Sequence, residues 1–443
     1  MSKFKQIWSN LRGSFWFTPS LIVAFSIVGA VGLIEVDSTG SRDWMTEWPR
    51  MFGASPEGAR GMLSTIAGSM MTVVGVTFSM ILVTLALASS QYTSRILRNF
   101  MRDRVTQVVL GIFAGIFTYC LIVLRTIRGG DESAFVPSLS VAVSVLLAIG
   151  GIGSLIFFIH HIAASIQASN IIASVAGETL DSIGRLFPGK LGKDAGSEKE
   201  EEARDHMPDR NWHAVYAPRN GYIQSLDYAA LLRVAKEQKT IVRMERGIGE
   251  FVVEGAPLVS LAQDKSPGDE VIADLQDAYG IDRHRTVEQD TGFGIRQLVD
   301  ISLRALSPGI NDTTTAVTCV DYLTAILSRL AAKDIPSSHR FEDGELRVIA
   351  IGPTFASLIA ESFDEIRGSA EGNLSIMLRM LGALHTIGSS TDSMTRKRIL
   401  CLHAQWIAET AKQTLKFQRD RERFDERFAQ VLQSLQAQRT KNP

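Results

Sequence analysis

The stretch Met62–Ser89, MLSTIAGSMMTVVGVTFSMILVTLALAS, decides the fold of this chain. It contains no charged residue over its whole length, which is rare for a helix in the core of a water-soluble protein. At a rise of about 1.5 Å per residue, it is long enough to cross a hydrocarbon layer roughly 30 Å thick. The stretch therefore predicts a membrane-spanning helix.

Three further apolar stretches lie on either side of it. Phe15–Ile34 precedes it, and Val108–Leu124 and Val136–Ile159 follow. The first is too long for the core of a signal peptide and has no small-residue cleavage pattern at its end, so we expect it to remain as a helix. Together the four stretches predict a transmembrane four-helix domain over residues 1–163, with the lipid bilayer as its surroundings.

Loop charges predict the orientation of this domain. The loop between the second and third stretches carries four arginines against one acid, and the loop after the first stretch is of mixed charge; the arginines are Arg95, Arg98, Arg102 and Arg104. Positively charged loops stay on the cytoplasmic side of a membrane. We therefore expect a multi-pass protein of a bacterial inner membrane, with both termini and everything after the fourth helix in the cytoplasm.

The composition of the whole chain gives little sign of a charged partner or a bound metal. Its net charge is -1 and its pI about 6.7, which gives no global attraction to nucleic acid. The three cysteines, Cys120, Cys319 and Cys401, are far apart and form no CxxC pair. We expect reduced thiols, no disulfide framework, no metal and no cofactor.

The remaining two thirds of the chain predict a cytosolic α+β region. Residues 164–211 read as a helical extension of the fourth span, running to about Leu186, and then a charged linker. Residues 212–268 contain short β-type runs with Asn-Gly and Glu-Gly turns, which predict a small β-rich, barrel-like module. Residues 269–443 predict a mainly helical domain that ends in one long helix or two. The fold class is thus membrane all-α plus cytosolic α+β.

Small and hydroxyl-bearing residues recur along one face of the second span. They are Gly68, Thr72, Gly75 and Ser79. Such residues let helices approach closely in lipid, and they also line weakly polar paths. Close packing and a pore or substrate path therefore both remain open for this stripe.

A second candidate site lies in Thr291–Ala316, TGFGIRQLVDISLRALSPGINDTTTA. Its first helix ends at Pro308-Gly309, and the next begins near Asn311. Free backbone N–H groups at that start would lie near arginines and hydroxyls and would attract a small anion or another small ligand. The residues of this corner are Arg296, Arg304, Asn311, Asp312, Thr313 and Thr314. The alternative is a rigid structural corner, with Asp312 as the helix cap.

These observations leave two main hypotheses about function. The first is an oligomeric channel or transport-like protein, whose second and fourth spans line a path and whose cytosolic domain regulates it. The second is a membrane-anchored sensor or scaffold whose cytosolic domain binds a ligand or a partner protein. No Ser–His–Asp set, HExxH or P-loop is recognisable, so an enzyme is the weakest of the interpretations.

Three phrases of the sequence resemble a known family. They are Phe78-Ser79 with Leu87–Gln91, His160-His161-Ile162 with Ser165-Ile166-Gln167, and Asp290 with Phe293-Gly294-Ile295 and Arg304–Asp312. The chain resembles the bacterial predicted membrane proteins grouped as domain-of-unknown-function family 2254, over nearly its whole length. The resemblance implies a bacterial inner-membrane location and no particular activity.

Overall fold

The computed structural model describes residues 15–39, 55–91, 103–129, 135–186, 211–333, 335 and 338–436. They form two compact units, Met1–Gln167 and Ala168–Pro443, each of which is treated by itself. The charged linker expected at 187–210 and the arginines of the loop at 95–102 lie outside the described residues.

The first unit contains four helices. They are α1 (Phe17–Thr39), α2 (Pro56–Gln91), α3 (Arg104–Thr126) and α4 (Ser138–Ser165). Each is long and apolar enough to cross a membrane, which confirms the four predicted spans. Helix α3 contacts the other three, and its side chains Phe113, Tyr119 and Cys120 lie in the core of the bundle.

The close contact between α1 and α3 depends on two glycines one helical turn apart. A Cβ atom on Gly111 would lie 2.7 Å from Ile22 Cδ1, and one on Gly115 would lie 2.5 Å from Ser26 Oγ. Larger side chains would push the two helices apart. This is the small-residue packing that membrane helices commonly use.

Two buried or half-buried carboxylates close the helix ends of the first unit. Asp37 of α1 accepts hydrogen bonds from the backbone N–H groups of Leu139 (3.1 Å) and Ser140 (2.9 Å), so it caps α4 from another helix. Asp103 caps its own helix α3, and His161 Nε2 lies 2.8 Å from its Oδ2. His161 thus joins α4 to the start of α3.

Helix α4 is shorter than predicted. The sequence indicated one helix from the fourth span to about Leu186, but α4 ends at Ser165, a turn covers Ile166 and Gln167, and α5 (Ala168–Leu186) begins after it. The apolar spacing is the same on both sides of the turn, and no proline or glycine marks it. Periodicity alone therefore missed the break.

The second unit combines two small sheets with a layer of helices. Its strands are β1 (Trp212–Tyr216), β2 (Gly221–Leu226), β3 (Val242–Met244), β4 (Phe251–Val252), β5 (Pro257–Ala262), β6 (Tyr279–Asp282), β7 (His339–Glu342) and β8 (Glu345–Ile349). Its helices, after α5, are α6 (Tyr228–Glu237), α7 (Asp269–Asp277), α8 (Thr291–Leu306), α9 (Thr313–Ala331), α10 (Phe355–Ser369), α11 (Leu374–Ser389), α12 (Met394–Thr414) and α13 (Gln418–Gln436).

The strands do not form the barrel-like module predicted for residues 212–268. Five of them form a sheet in the order β1-β5-β3-β8-β7, and three form a second sheet in the order β4-β2-β6. No closed barrel is found in the described part of the chain, and β6, β7 and β8 come from beyond residue 268. Local alternation predicted the α+β character correctly, but it carries no information about which strand edges pair, such as the parallel β3–β8 contact.

Apolar faces hold the helical layer together, and two of its helices approach each other very closely at a glycine. Helix α5 packs on α8 and α9, and a Cβ atom on Gly294 of α8 would lie 2.0 Å from Thr179 Oγ1 of α5. The C-terminal segment forms two helices, and an apolar seam of α13, with Phe424, Val431 and Leu435 buried, packs on α11 and α12 of the same chain. The seam is thus part of the domain's own core.

Candidate functional site

A cavity of about 320 Å³ lies in the second unit, where the ends of strands meet the starts of α8 and α10. One part of its wall is apolar and includes Leu186, Leu232, Ile248 and Ile351. Another part is polar; its charged and hydroxyl-bearing members are Glu250, Arg285, Asp290, Thr291, Arg340 and Glu361. Pockets of this size with an apolar wall and a few convergent polar groups are typical of small-ligand sites.

An ion pair fixes one side of the cavity. Arg285 donates from Nε to Asp290 Oδ2 (2.8 Å) and from Nη2 to Asp290 Oδ1 (3.1 Å), in the forked geometry that arginine and carboxylate favour. Asp290 also caps α8 by accepting from the Phe293 N–H (3.0 Å). The guanidinium carbon of Arg285 lies 5.2 Å from the centre of the Phe293 ring. These contacts hold the arginine in one position.

Gly249 presses the turn before β4 against this ion pair. Its φ is +86°, a left-handed conformation that favours glycine. A Cβ atom there would lie 2.5 Å from Asp290 Oδ2 and 2.9 Å from Arg285 Nη2. The turn, the ion pair and the start of α8 therefore fit together only because residue 249 has no side chain.

Glu361 faces the cavity from α10. Its Oε2 would lie 3.2 Å from a Cβ atom on Gly292, beside the first turn of α8. Burial raises the pKa of this carboxyl; Asp290 and Glu365 raise it further, while Arg285 and Arg296 oppose them. Glu361 is half-buried, and its carboxyl accepts no hydrogen bond from the described residues.

Thr291 adds a second polar group without a partner. It is the first residue of α8, only 3% of it is exposed, and it lines the cavity. Within the described part of the chain its hydroxyl makes no hydrogen bond. A buried hydroxyl without a bond costs free energy, and such groups in native proteins mark strain or an absent ligand.

The predicted anion corner is a different place from this cavity. Asp312 caps α9 by accepting from the Thr315 N–H (3.0 Å) and hydroxyl (2.6 Å), bonds that lower its pKa. Thr313 Oγ1 accepts from Asn373 Nδ2 (3.0 Å), while Asn311 is exposed with φ +50°. Thr314, also exposed, donates its backbone N–H to the Asp312 carboxylate, and its carbonyl accepts from the Thr318 hydroxyl (3.0 Å).

The two arginines of the predicted corner do not meet there as a pair. Arg296 lies in the first half of α8, where it bonds Asp300 (2.7 Å) and Glu365, and the bond to Glu365 raises its pKa. Arg304 is exposed in the last turn of α8. An anion site at this corner remains a prediction, with Asp312 already at the helix start.

The predicted stripe on α2 faces outward. Gly68, Thr72, Gly75 and Ser79 are all exposed, and a Cβ atom on either glycine would have nothing within 4 Å. Helix α4 also carries small and hydroxyl-bearing residues, but most of these lie inside the bundle: Ser140, Ser144 and Gly151 are buried. Close packing within one chain therefore explains the small residues of α4 but not those of α2.

Sequence reasoning found part of the cavity and missed the rest. The phrase around Asp290 and Phe293 was singled out, and it supplies the wall residues Asp290, Thr291 and Gly292. Arg285 and Glu361 were missed because neither belongs to a motif, and Glu361 lies on a helix about 70 residues away. Gly249 was missed as well, because a lone glycine in a turn matches no ligand-binding motif. No cluster of three metal-ligating side chains occurs among the described residues.

These features define a class: a membrane protein with four candidate spans and a second folded unit that contains a partly polar cavity. The chain belongs to the family described as predicted membrane protein (DUF2254), whose model matches residues 12–386. The resemblance noted in the sequence is thereby confirmed.

Its relatives come from mycobacteria. An uncharacterised protein of Mycobacterium bovis is 33% identical over 395 residues, which cover 87% of this chain and 74% of the relative. An uncharacterised protein of Mycobacterium tuberculosis is similar to the same extent, 33% over 395 residues with 87% and 74% covered. No solved structure matches the chain.

Proposed function

We propose that this chain is a membrane-anchored sensor, in which the four helices hold the second unit at a bacterial inner membrane and the second unit binds a small molecule. The observation that carries this proposal is the cavity, whose wall contains the Arg285–Asp290 pair, the half-buried Glu361 and the Thr291 hydroxyl without a partner among the described residues. The buried Thr291 hydroxyl costs stability, because it makes no hydrogen bond within the described part of the chain. A ligand that forms hydrogen bonds with these groups would recover free energy on binding.

A cavity-filling variant tests the proposal. Ile351 lines the cavity and is 38% exposed, so Ile351→Trp can enter the cavity without destroying the core. Val253→Trp is the matched control, because Val253 is 57% exposed and does not line the cavity. The full chain in detergent is screened against a small-molecule set by ligand-detected NMR. We expect ligands that bind the unmodified chain and Val253→Trp but not Ile351→Trp; binding that ignores the cavity would contradict the proposal.

The proposed orientation places both termini and the second unit in the cytoplasm. It is supported by the arginines of the loop between α2 and α3, since short positive loops remain inside. Green fluorescent protein fused after Gln436 should fluoresce, whereas alkaline phosphatase fused after Gly129, beyond α3, should be active. The reverse pattern would overturn this orientation.

An oligomeric channel is the second candidate, and the outward stripe of α2 favours it. The bundle of one chain has a core filled by side chains such as Leu63, Met70 and Phe113, so a path would have to lie between copies. Gly68, Thr72, Gly75 and Ser79 are available on the outer surface for that purpose. Reconstitution in liposomes with flux measurements for several cations and anions tests it, and a purified oligomer that conducts none of them would rule it out.

A further inference from the structure

Some polar groups at the cavity already form hydrogen bonds or ion pairs within the protein, and others do not. Arg285 is bound by Asp290 through two hydrogen bonds, and Arg296, just outside the cavity wall, is bound by Asp300 and Glu365. The charge of Arg285 is therefore balanced by Asp290, which weakens the case for an anionic ligand at this arginine.

The start of α8 is not open to an anion either. The Asp290 carboxylate already accepts from the Phe293 N–H, and Glu361 Oε2 lies beside Gly292 in the same first turn. An incoming carboxylate or phosphate would meet two acidic side chains where the helix dipole would otherwise attract it. Two carboxyl groups thus already lie at the N-terminal turn of α8, where an anion would bind.

Two groups of the wall can accept a hydrogen bond from a ligand. One is the half-buried Glu361 carboxyl; the other is the Thr291 hydroxyl, which lies in a residue only 3% exposed, has no partner among the described residues and can also donate. An ammonium group has three N–H donors and a positive charge, so it can bond both and balance the carboxylate. The neighbouring wall of Leu186, Ile248 and Ile351 would cover an apolar body attached to that head.

We propose that the cavity binds a small organic amine, with its ammonium head on Glu361 and Thr291 and its apolar body against Leu186, Ile248 and Ile351. This inference rests on the proposed sensor function and names the class of its ligand. The cavity of about 320 Å³ limits the ligand to a small one.

Three probes of one shape and different charge test the proposal on the full chain in detergent. They are cyclohexylmethylamine, cyclohexylmethanol and cyclohexanecarboxylate, with binding measured by saturation-transfer NMR and calorimetry. We expect the amine to bind about tenfold or more tightly than the alcohol, because a hydrogen bond to a charged group is lost in the alcohol. The carboxylate should bind most weakly. Tighter binding of the carboxylate or the alcohol would overturn the proposal.

Variants identify the group that recognises the head. Glu361→Gln keeps the shape of the side chain and should weaken amine binding about tenfold, and Thr291→Val should weaken it less. Glu371→Gln, on an exposed residue, is the matched control and should change nothing. Thermal melts confirm that each variant is folded. Unchanged amine affinity in folded Glu361→Gln would refute the assignment.

The pH dependence provides a second readout. Glu361 is surrounded by Arg285, Asp290, Arg296 and Glu365, and protonation of Glu361 removes the charge that the amine needs. Amine affinity should therefore fall as the pH is lowered, and this dependence should disappear in Glu361→Gln. If the amine fails while other compounds of the screen bind in the cavity, the amine assignment is wrong and the sensor function stands; if nothing binds there, both are wrong.

Discussion

Glu361 carries a carboxyl whose surroundings disfavour its charged form. Burial raises the pKa of its carboxyl, so the folded chain holds the proton to higher pH than the unfolded chain does. Below the pKa of the unfolded state both forms are protonated and there is no cost. As the pH rises the unfolded state ionises first, which lowers the free energy of unfolding, by about 1.4 kcal/mol for each unit of pKa displacement.

Glu361→Gln should therefore stabilise the folded chain at neutral pH. Its melting temperature should exceed that of the unmodified chain at pH 7, and the difference should shrink towards zero at about pH 3, below the pKa of the carboxyl in both states. Melts of the full chain in detergent between these values provide the measurement. Glu371→Gln serves as the control on an exposed residue. A loss of stability in Glu361→Gln at pH 7 would show that the carboxylate has a bonding partner.

Substitution of Gly249 tests how tightly its turn packs against the Arg285–Asp290 ion pair. Gly249→Ala brings a Cβ atom within 2.5 Å of Asp290 Oδ2 in addition to the left-handed backbone cost of about 1–2 kcal/mol. Gly255 has a similar φ of +79° but nothing within 4 Å, so Gly255→Ala carries the backbone cost alone. Denaturation should show Gly249→Ala to be the less stable variant by about 1 kcal/mol or more. Equal losses would mean that the turn can move away from the ion pair.

For individual helices and turns, the local sequence pattern predicted the features that depend on residues close together in the sequence. The four spans follow from apolar length, and the β7–β8 hairpin follows from Asp343-Gly344, whose φ values of +54° and +82° suit a tight turn. The caps by Asp290 and Asp312 also lie where a side-chain oxygen precedes a helix.

The local sequence pattern could not predict contacts between segments that are far apart in the sequence. Strand β3 pairs with β8 about a hundred residues later, and Glu361 reaches the start of α8 from a separate helix. Asp37 caps α4 across more than a hundred residues. Such contacts depend on how elements pack, which no spacing within one segment records. This is why the sequence predicted the membrane domain well and predicted only one wall of the cavity.

The α1–α3 contact gives a prediction at the same scale. Gly115→Ala should destabilise the first unit by about 1–3 kcal/mol, because its Cβ atom would lie 2.5 Å from Ser26 Oγ. Gly29→Ala on α1 has nothing within 4 Å and should be neutral or slightly favourable, since alanine is the better helix former. Thermal stability followed by size-exclusion chromatography in detergent compares them. Similar behaviour of the two variants would argue against a tight α1–α3 contact.

For the whole molecule, the outward stripe of α2 is the feature that bears on assembly. In lipid there is no hydrophobic force between helices, so association depends on close backbone approach, which small residues permit. Gly61, Gly68 and Gly75 are spaced by seven residues, and each has open space where a Cβ atom would lie. We therefore predict a homo-oligomer in which α2 packs against α2 of another copy.

Bulky substitutions on this stripe should separate the copies without unfolding them. Gly68→Ile and Gly75→Ile would block close approach between chains, whereas no other atom of the described residues lies within 4 Å of a Cβ atom at either position. Gly153→Ile on α4 is the control, because that glycine is also exposed and has nothing within 4 Å. Crosslinking in native membranes and mass photometry in detergent should show oligomers for the unmodified chain and the control and monomers for the two α2 variants. Oligomers that survive both substitutions would move the interface elsewhere; a monomeric unmodified chain would remove the channel hypothesis altogether, since the filled core of one bundle leaves a path only between copies.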